Sequence, residues 1–333
     1  MLDVTRFKKL KILYCSNNQL TSLILNKNLE KLYCNNNQLT SLHLNENLKI
    51  LYCERNKLTS LHLNENLKTL ICSNNQLTFL ILNENLQTLY CSYNQLTCLH
   101  LNTNLYALYC YNNQLSSLYL NENLQELYCS NNQLTLLPDL NNNLKTLCCH
   151  SNQLTFLPSL NVSLQTLSCS NNQLVMLPSL NVSLELLYCY NNQLTFLPSL
   201  NKNLKTLSCS NNRLTLLPTL NVSLEILNCS NNQLTTLPNL NLGLQELYYY
   251  NNPIYKIIDG NNLFIVNNKI QILHKFCHLY YSLKFKKQFR DFLWKKIREP
   301  QIIKKYHPSY LNKLLIDDAE NTEDLDMVLN SWL

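Results

Sequence analysis

The sequence predicts a solenoid, with short parallel strands forming a β-sheet on the concave face, an extended and irregular convex side, and an α-helical C-terminal cap. Three observations predict it. A nine-residue phrase at residues 13–21, Leu-Tyr-Cys-Ser-Asn-Asn-Gln-Leu-Thr, returns with small changes about every 20 residues until Asn252. Its apolar residues alternate as they do on a strand. Helical spacing begins at residue 269, after the repeat has stopped at Asn252. Self-similarity at this period is typical of solenoids.

The chain divides into three predicted parts. Residues 1–9 are an N-terminal lead-in, residues 10–254 hold about thirteen repeats, and residues 255–333 form a helical C-terminal domain. The step between copies is 19 residues up to Cys129 and 20 residues afterwards. Because a solenoid needs no central core, 333 residues can form one repeat body with a small tail.

The repeat is clearest in its second copy, whose key positions carry Leu29, Leu32, Cys34, Asn37, Leu39 and Leu42. This spacing resembles the leucine-rich repeat, L-x-x-L-x-L-x-x-N-x-L, over three quarters of the chain. One departure is systematic, because cysteine replaces the third strand leucine. The later copies resemble the 20-residue repeats of bacterial effector proteins, and the whole phrase resembles proteins of giant DNA viruses. The resemblance implies a leucine-rich-repeat solenoid.

Strand alternation assigns a face to each position of the repeat. Leu32 and Cys34 are expected to point into the core, whereas Tyr33 faces the concave side. An asparagine follows each strand where the chain turns, and its amide can satisfy backbone groups that the turn leaves unpaired. The resemblance implies that role for the predicted asparagine ladder, which consists of Asn18, Asn37, Asn56, Asn75, Asn94, Asn113, Asn132, Asn152, Asn172, Asn192, Asn212, Asn232 and Asn252.

Tyrosine dominates the concave column of the first seven repeats. The predicted partner-binding residues are Tyr14, Tyr33, Tyr52, Tyr90, Tyr109 and Tyr128. Rigid aromatic side chains with a polar tip are common anchors of protein interfaces, so we hypothesise that this column binds a protein partner. The alternative is that stacked tyrosines only stabilise the parallel sheet through packing between neighbouring strands.

The segment after each strand is predicted to be extended rather than helical. Six later copies carry a proline there: Pro138, Pro158, Pro178, Pro198, Pro218 and Pro238. Proline fixes φ and interrupts helices, and a repeat of 19–20 residues leaves no room for a convex helix. Because the chain has only two glycines, asparagine is expected to take the left-handed turn positions.

The tail is predicted to be largely helical. Residues 254–268 are expected to be irregular, with a short hairpin around residues 259–262. Residues 269–298 keep the spacing of a helix, which Pro300 is expected to end. Two further helices are predicted at residues 308–315 and 322–332.

Charge is concentrated in the tail. Residues 1–252 have a net charge of +2, whereas residues 269–305 carry 11 basic and 2 acidic residues. The basic run consists of Lys284, Lys286, Lys287, Arg290, Lys295, Lys296, Arg298, Lys304 and Lys305. Aromatic residues interleave with it, so nucleic-acid binding by this basic C-terminal helix is an alternative function. The other interpretation is a solvated helix face balanced by the acidic segment 317–326.

The sequence indicates no enzyme, no cofactor and no metal. Twelve of the fifteen cysteines share one strand position, which is the pattern of a small buried apolar residue. His274 and His278 lie one helical turn apart and could hold a metal, but they lack the glutamate of the zinc-protease motif. A buried helix face is the alternative for that pair. No glycine-rich phosphate loop is possible with two glycines.

Location and function follow as expectations. Residues 1–10 lack the apolar core of a signal peptide, and no apolar run reaches the length of a membrane span. A cytoplasmic protein is expected, in host cytoplasm if the viral resemblance holds. The predicted function is a non-catalytic protein–protein interaction scaffold that uses the tyrosine-rich concave face. The alternatives are a substrate-recognition adaptor for a ubiquitin-ligase-type assembly and nucleic-acid binding.

Overall fold

The structure, a computed structural model, describes residues 1–258 and 262–306, with side chains as far as residue 304. The chain divides into two compact units, Met1–Ile270 and Gln271–Leu333. Most of the predicted hairpin and both predicted helices beyond residue 306 lie outside the described residues.

Fifteen strands precede the helices. Two of them, β1 (Leu2–Asp3) and β3 (Leu23–Ile24), form a separate two-stranded parallel sheet. The other thirteen contribute one strand per repeat to a single parallel sheet and follow one another in chain order. They are β2 (Ile12–Tyr14), β4 (Lys31–Tyr33), β5 (Ile50–Tyr52), β6 (Thr69–Ile71), β7 (Thr88–Tyr90), β8 (Ala107–Tyr109), β9 (Glu126–Tyr128), β10 (Thr146–Cys148), β11 (Thr166–Ser168), β12 (Leu186–Tyr188), β13 (Thr206–Ser208), β14 (Ile226–Asn228) and β15 (Glu246–Tyr248).

Equivalent residues of successive repeats stand side by side in this sheet. Leu32 pairs with Leu51, and Tyr33 pairs with Tyr52, and the same register holds along the sheet. Because every step has one register, each position of the repeat becomes a continuous column of side chains. The predicted solenoid with a concave parallel sheet is confirmed.

Leucine and cysteine fill the interior of the solenoid. The cysteine column is 0% exposed from Cys34 to Cys229, and the strand leucines from Leu32 to Leu227 are equally buried. Convex leucines such as Leu39 close the other side of the core. Residues 1–252, all of them described, contain no helix, which confirms the extended convex side. The convex side thus contains no helix in the later repeats, which carry a proline there, or in the earlier ones, which do not.

One residue in each repeat has a left-handed backbone, immediately before the ladder asparagine. Ten of these thirteen residues are asparagines, which confirms the expectation for a chain with so few glycines. The other three are Arg55, Tyr93 and Ser151, with φ of 53°, 54° and 56°. The turn geometry is thus imposed by the repeat even where the residue does not favour it.

The two ends of the solenoid are finished differently. At the N-terminal end, β1 pairs with β3 and Val4 is buried, but Leu13 on β2 remains partly exposed. Its equivalent in the next repeat, Leu32, is fully buried. The lead-in therefore covers the convex half of the first repeat, and no described strand pairs with the outer edge of β2.

At the other end, helices α1 (Tyr255–Ile258) and α2 (Leu263–Leu293) follow the last strand. Ile258 and Val266 are 0% and 2% exposed, so the first turns of these helices bury apolar side chains in the Met1–Ile270 unit. Tyr249, which takes the cysteine position in the last repeat, donates its hydroxyl to the Ile258 carbonyl at 3.4 Å. The larger ring at this position suits a terminal repeat that has no following cysteine.

The prediction of an irregular segment at residues 254–268 is wrong for the described residues. Asn262 Oδ1 accepts the N–H of Phe264 at 2.7 Å and caps α2, which therefore begins six residues earlier than the spacing indicated. Burial of Ile258 and Val266 stabilises these short helical turns, and tertiary packing of this kind is not visible in local spacing.

The prediction that Pro300 ends the helix is also wrong. The chain continues from α2 into a π-helix (Trp294–Arg298) and then α3 (Glu299–Tyr306). The N–H of Glu299 donates to the Trp294 carbonyl, five residues back. The wider turn places Pro300 in the first turn of α3, where a missing N–H and the proline ring are tolerated.

Candidate functional site

The predicted tyrosines form two groups on the concave face. In the first group, the ring centroids of Tyr14 and Tyr33 are 4.6 Å apart with planes 9° apart, so these rings are stacked. Tyr33 meets Tyr52 edge to face at 4.9 Å. Ile71 occupies the same column in the next repeat and separates this group from the second. Offset-stacked and edge-to-face contacts are the favoured arrangements of aromatic pairs.

The second group is the more regular one. Tyr109 stacks on Tyr90 at 4.0 Å and on Tyr128 at 4.4 Å, with planes within 9° in both pairs. The Tyr109 hydroxyl donates a hydrogen bond to Glu126 Oε2 at 2.5 Å. Burial and this carboxylate raise the pKa of Tyr109 well above its usual value. Tyr109 is therefore a protonated, oriented hydrogen-bond donor at physiological pH.

Stacking hides much of each ring. Tyr14 at the open end of the column is 73% exposed, whereas Tyr33, Tyr52, Tyr90, Tyr109 and Tyr128 are half-buried. After Tyr128 the column continues with Cys148 and then Ser168. The surface thus offers ring edges and hydroxyl groups over seven repeats. Such a surface can pack against apolar groups and form hydrogen bonds.

The asparagine ladder joins each repeat to the one before it. Asn37 Nδ2 donates to the carbonyls of Cys34 and Cys15 at 3.0 and 2.9 Å, and its Oδ1 accepts the N–H of Leu20 at 3.0 Å. The same donor and acceptor pattern recurs as far as Asn252. Its Nδ2 donates to the Cys229 carbonyl, and its Oδ1 accepts the N–H of Leu234. Asn18 has no preceding repeat and donates only within its own turn. These side chains act within the solenoid rather than toward a ligand.

Two further asparagine columns on the convex side were given no role by the sequence reasoning. Asn45 Nδ2 donates to the carbonyls of Asn26 and Leu29 at 2.7 and 3.1 Å. Asn47 Nδ2 donates to the Lys27 carbonyl at 2.8 Å. The signal was the Asn-x-Asn-Leu pattern that closes many repeats. Both columns tie one repeat to the previous one, as the ladder asparagines do.

The buried cysteines of the column are expected to be unreactive. All fifteen cysteines are free thiols, and only Cys98 and Cys277 are exposed. Burial raises the pKa of the Cys110 thiol to about 12, and burial acts in the same direction along the column. A thiol held protonated is a poor nucleophile and metal ligand.

Among residues 1–258 and 262–306, no three His, Cys, Asp or Glu side chains lie close enough together to hold a metal. His278 Nδ1 instead lies 3.5 Å from the Ser282 hydroxyl, on an exposed stretch of α2.

The basic run occupies an exposed helical stretch. Phe285, Phe289 and Trp294 are 64%, 63% and 51% exposed, and Lys284 lies 5.9 Å from the centre of the Tyr280 ring. Three ion pairs lie in the repeat body, where Lys11 and Lys49 both contact Glu30 and Lys205 contacts Glu185. No helix in the described part of the chain is long and apolar enough to cross a membrane.

The geometry defines a class of protein: a short-repeat parallel β-solenoid whose turns are tied together by buried asparagines. The family model described as Leucine Rich Repeat matches residues 123–142 and 223–244. The chain belongs to the leucine-rich repeat family.

Solved structures support this membership. The leucine-rich effector protein YopM from Yersinia pestis is 32% identical, with 72% of each chain covered and a TM-score of 0.54. YopM from Yersinia enterocolitica is 27% identical over 75% of this chain and 71% of that chain, with a TM-score of 0.54. The functional domain of InlJ from Listeria monocytogenes, which includes a cysteine ladder, is 29% identical over 73% and 63%, with a TM-score of 0.59. No curated protein sequence matches the chain.

Proposed function

We propose that the protein is a non-catalytic interaction scaffold that binds a protein partner through the concave tyrosine column. The observation that carries the proposal is the second tyrosine group, in which three stacked rings and the Glu126 carboxylate form one continuous surface. Rigid tyrosines lose little conformational entropy on binding, because their rings are already held by their neighbours. The family and its effector and InlJ relatives support an interaction scaffold as the general class.

Stacking alone could explain the tyrosines, so the proposal depends on separating binding from folding. The rings of Tyr90, Tyr109 and Tyr128 stack on one another on the concave face, outside the leucine and cysteine core. Their replacement by serine resembles the natural change to Ser168 later in the same column. We therefore expect such a variant to keep its fold, with a loss of stability of about 1–3 kcal/mol for the lost aromatic pairs.

The test is affinity capture with the full chain, comparing the parent with a variant carrying Tyr90→Ser, Tyr109→Ser and Tyr128→Ser. A matched control replaces Tyr93, Tyr106 and Tyr119, which are exposed at 49%, 44% and 71% and lie outside the stacked column. The proposal is supported if the parent and the control capture a protein that the variant does not capture, while the variant keeps a cooperative thermal unfolding transition. Equal capture by all three proteins would show that the tyrosines serve only the sheet.

Cytoplasmic location, in an infected host cell if the viral resemblance holds, is part of this proposal. The adaptor alternative and the nucleic-acid alternative stay predictions. The exposure of the aromatic and basic side chains between residues 284 and 304 is compatible with the second of these.

A further inference from the structure

The outer edge of β2 is open for pairing. Among the described residues, β2 has one strand neighbour, β4. The N–H of Cys15 donates to the Tyr33 carbonyl at 2.8 Å, so the odd-numbered residues around this strand pair with β4. Because the pairing direction alternates along a strand, the peptide groups of Ile12 and Tyr14 point along the free edge. An unpaired edge of this kind is a ready template for another strand.

The hydrophobic core is also open at this end. Leu10, Leu13 and Leu20 are partly exposed, whereas the equivalent leucines of the second repeat are all 0% exposed. Ile12 on the same strand is 39% exposed, and Phe7 in the lead-in is 56% exposed. The edge therefore combines free backbone groups with apolar side chains that are less covered than their equivalents in the second repeat.

Charge distinguishes between two occupants of this edge. Arg6, Lys8 and Lys9 lie just before β2 and form no ion pair with described residues, and the nearby Glu30 is already held by Lys11 and Lys49 at 2.8 and 2.9 Å. A second copy docked edge to edge would offer no complementary charge from this region, because residues 6–20 contain basic side chains and no acidic one. An extended segment with acidic flanks would meet complementary charge instead.

We propose that the edge at Ile12–Tyr14 binds an extended segment of a protein partner, with apolar residues between acidic flanks, as an added strand. Main-chain hydrogen bonds to Ile12 and Tyr14 supply pairing, an apolar side chain covers Leu13, and the acidic flanks meet Lys8 and Lys9. Tyr14 belongs to the first tyrosine group, but this edge is separate from the second group around Tyr109, so the capture test of Tyr90, Tyr109 and Tyr128 and the edge test can fail independently.

The test uses the full chain and a dye-labelled synthetic peptide with a Val-Leu-Val centre between Asp-Glu and Glu-Asp flanks. Binding is followed by fluorescence anisotropy at low and high salt. We expect saturable binding that weakens with salt, and weaker or no binding of a matched peptide with Lys-Arg flanks.

Two variants separate the contributions of backbone and charge. Ile12→Pro removes an edge N–H, which an edge strand tolerates, and should weaken binding by about threefold to tenfold. Lys8→Glu with Lys9→Glu should also weaken binding, whereas Lys145→Glu with Lys202→Glu in distant repeats should not. Absence of saturable binding, or binding that Ile12→Pro leaves unchanged, overturns the proposal. Dimerisation in sedimentation that Ile12→Pro abolishes overturns it in favour of a second copy.

Discussion

At the scale of single residues, two adjacent asparagines in one repeat do different work. Asn36 adopts the left-handed backbone of the turn, and the neighbouring Asn37 uses its amide to bridge two repeats. A short side chain that can hydrogen-bond locally suits the first position. Both a donor and an acceptor are needed at the second, because carbonyl and N–H groups of the turn are buried there. The repeated pair Asn-Asn thus reflects two separate physical requirements.

Loss of a buried ladder asparagine should be costly. Asn132→Ala leaves the Leu115 N–H and the carbonyls of Cys110 and Cys129 without their side-chain partner. We expect the free energy of unfolding to fall by about 3 kcal/mol in urea denaturation followed by circular dichroism. Asn18→Ala is the control and should cost below about 1 kcal/mol, because Asn18 is exposed and bonds only its own turn. Equal losses for the two variants would contradict this assignment.

At the scale of elements, the turn is set by the stacked repeat and not by its own residue. Arg55 has the same left-handed φ as Asn36, 53° in each case, although arginine disfavours that region. The strands before and after hold the turn, since each repeat pairs in one register with its neighbours. Neighbouring structure also outweighs a local preference at Pro300. The π-helix Trp294–Arg298 precedes this proline and places it in the first turn of α3, so the helical stretch continues past it.

Reciprocal exchange at two adjacent turns tests this account. Arg55→Asn should raise the free energy of unfolding by up to about 1 kcal/mol, because asparagine enters the left-handed region more readily. Asn74→Arg, in the next repeat with φ of 57°, should lower it by a similar amount. Thermal and urea unfolding of both variants would measure the changes. Changes of the same sign would show that side-chain contacts, and not backbone preference, decide stability here.

At the scale of the whole molecule, one register repeated twelve times converts local patterns into continuous columns. The cysteines form a buried line from Cys34 to Cys229, while Cys98 and Cys277 stand outside it on the surface. Reactivity toward thiol reagents requires access and a thiolate, and burial removes both along the column. Intactness of the solenoid can therefore be followed through its thiols.

We expect two thiols of the native protein to react rapidly with an aromatic disulfide reagent at neutral pH. Cys98→Ser with Cys277→Ser should abolish that rapid phase. The half-buried Cys148, whose pKa burial raises to about 11, should react slowly. All fifteen cysteines should react in denaturant. Rapid reaction of many more thiols without denaturant would mean that the column is open to solvent.

Much of this architecture can be predicted from the sequence, because it depends on period alone. Alternation on a strand places Leu32 and Cys34 inside and Tyr33 on the concave face, and a repeat of 19–20 residues excludes a convex helix. The site residues could be listed in the same way, since a column follows from one register. Their contacts could not be predicted, because stacking distances such as those at Tyr109 depend on how neighbouring repeats pack.

The sequence by itself determined the period, the strand positions, the inward and outward faces and the positions of the ladder asparagines. These features are local, and the same residue pattern specifies them in each repeat. Only the tertiary structure decided which backbone groups Asn37 joins, that Arg55 takes a left-handed turn and that the chain passes Pro300 as a helix. It also decided that β2 pairs with β4 alone among the strands of the described residues. These depend on contacts between neighbouring repeats and on the ends of the stack, where the period no longer determines what covers the core.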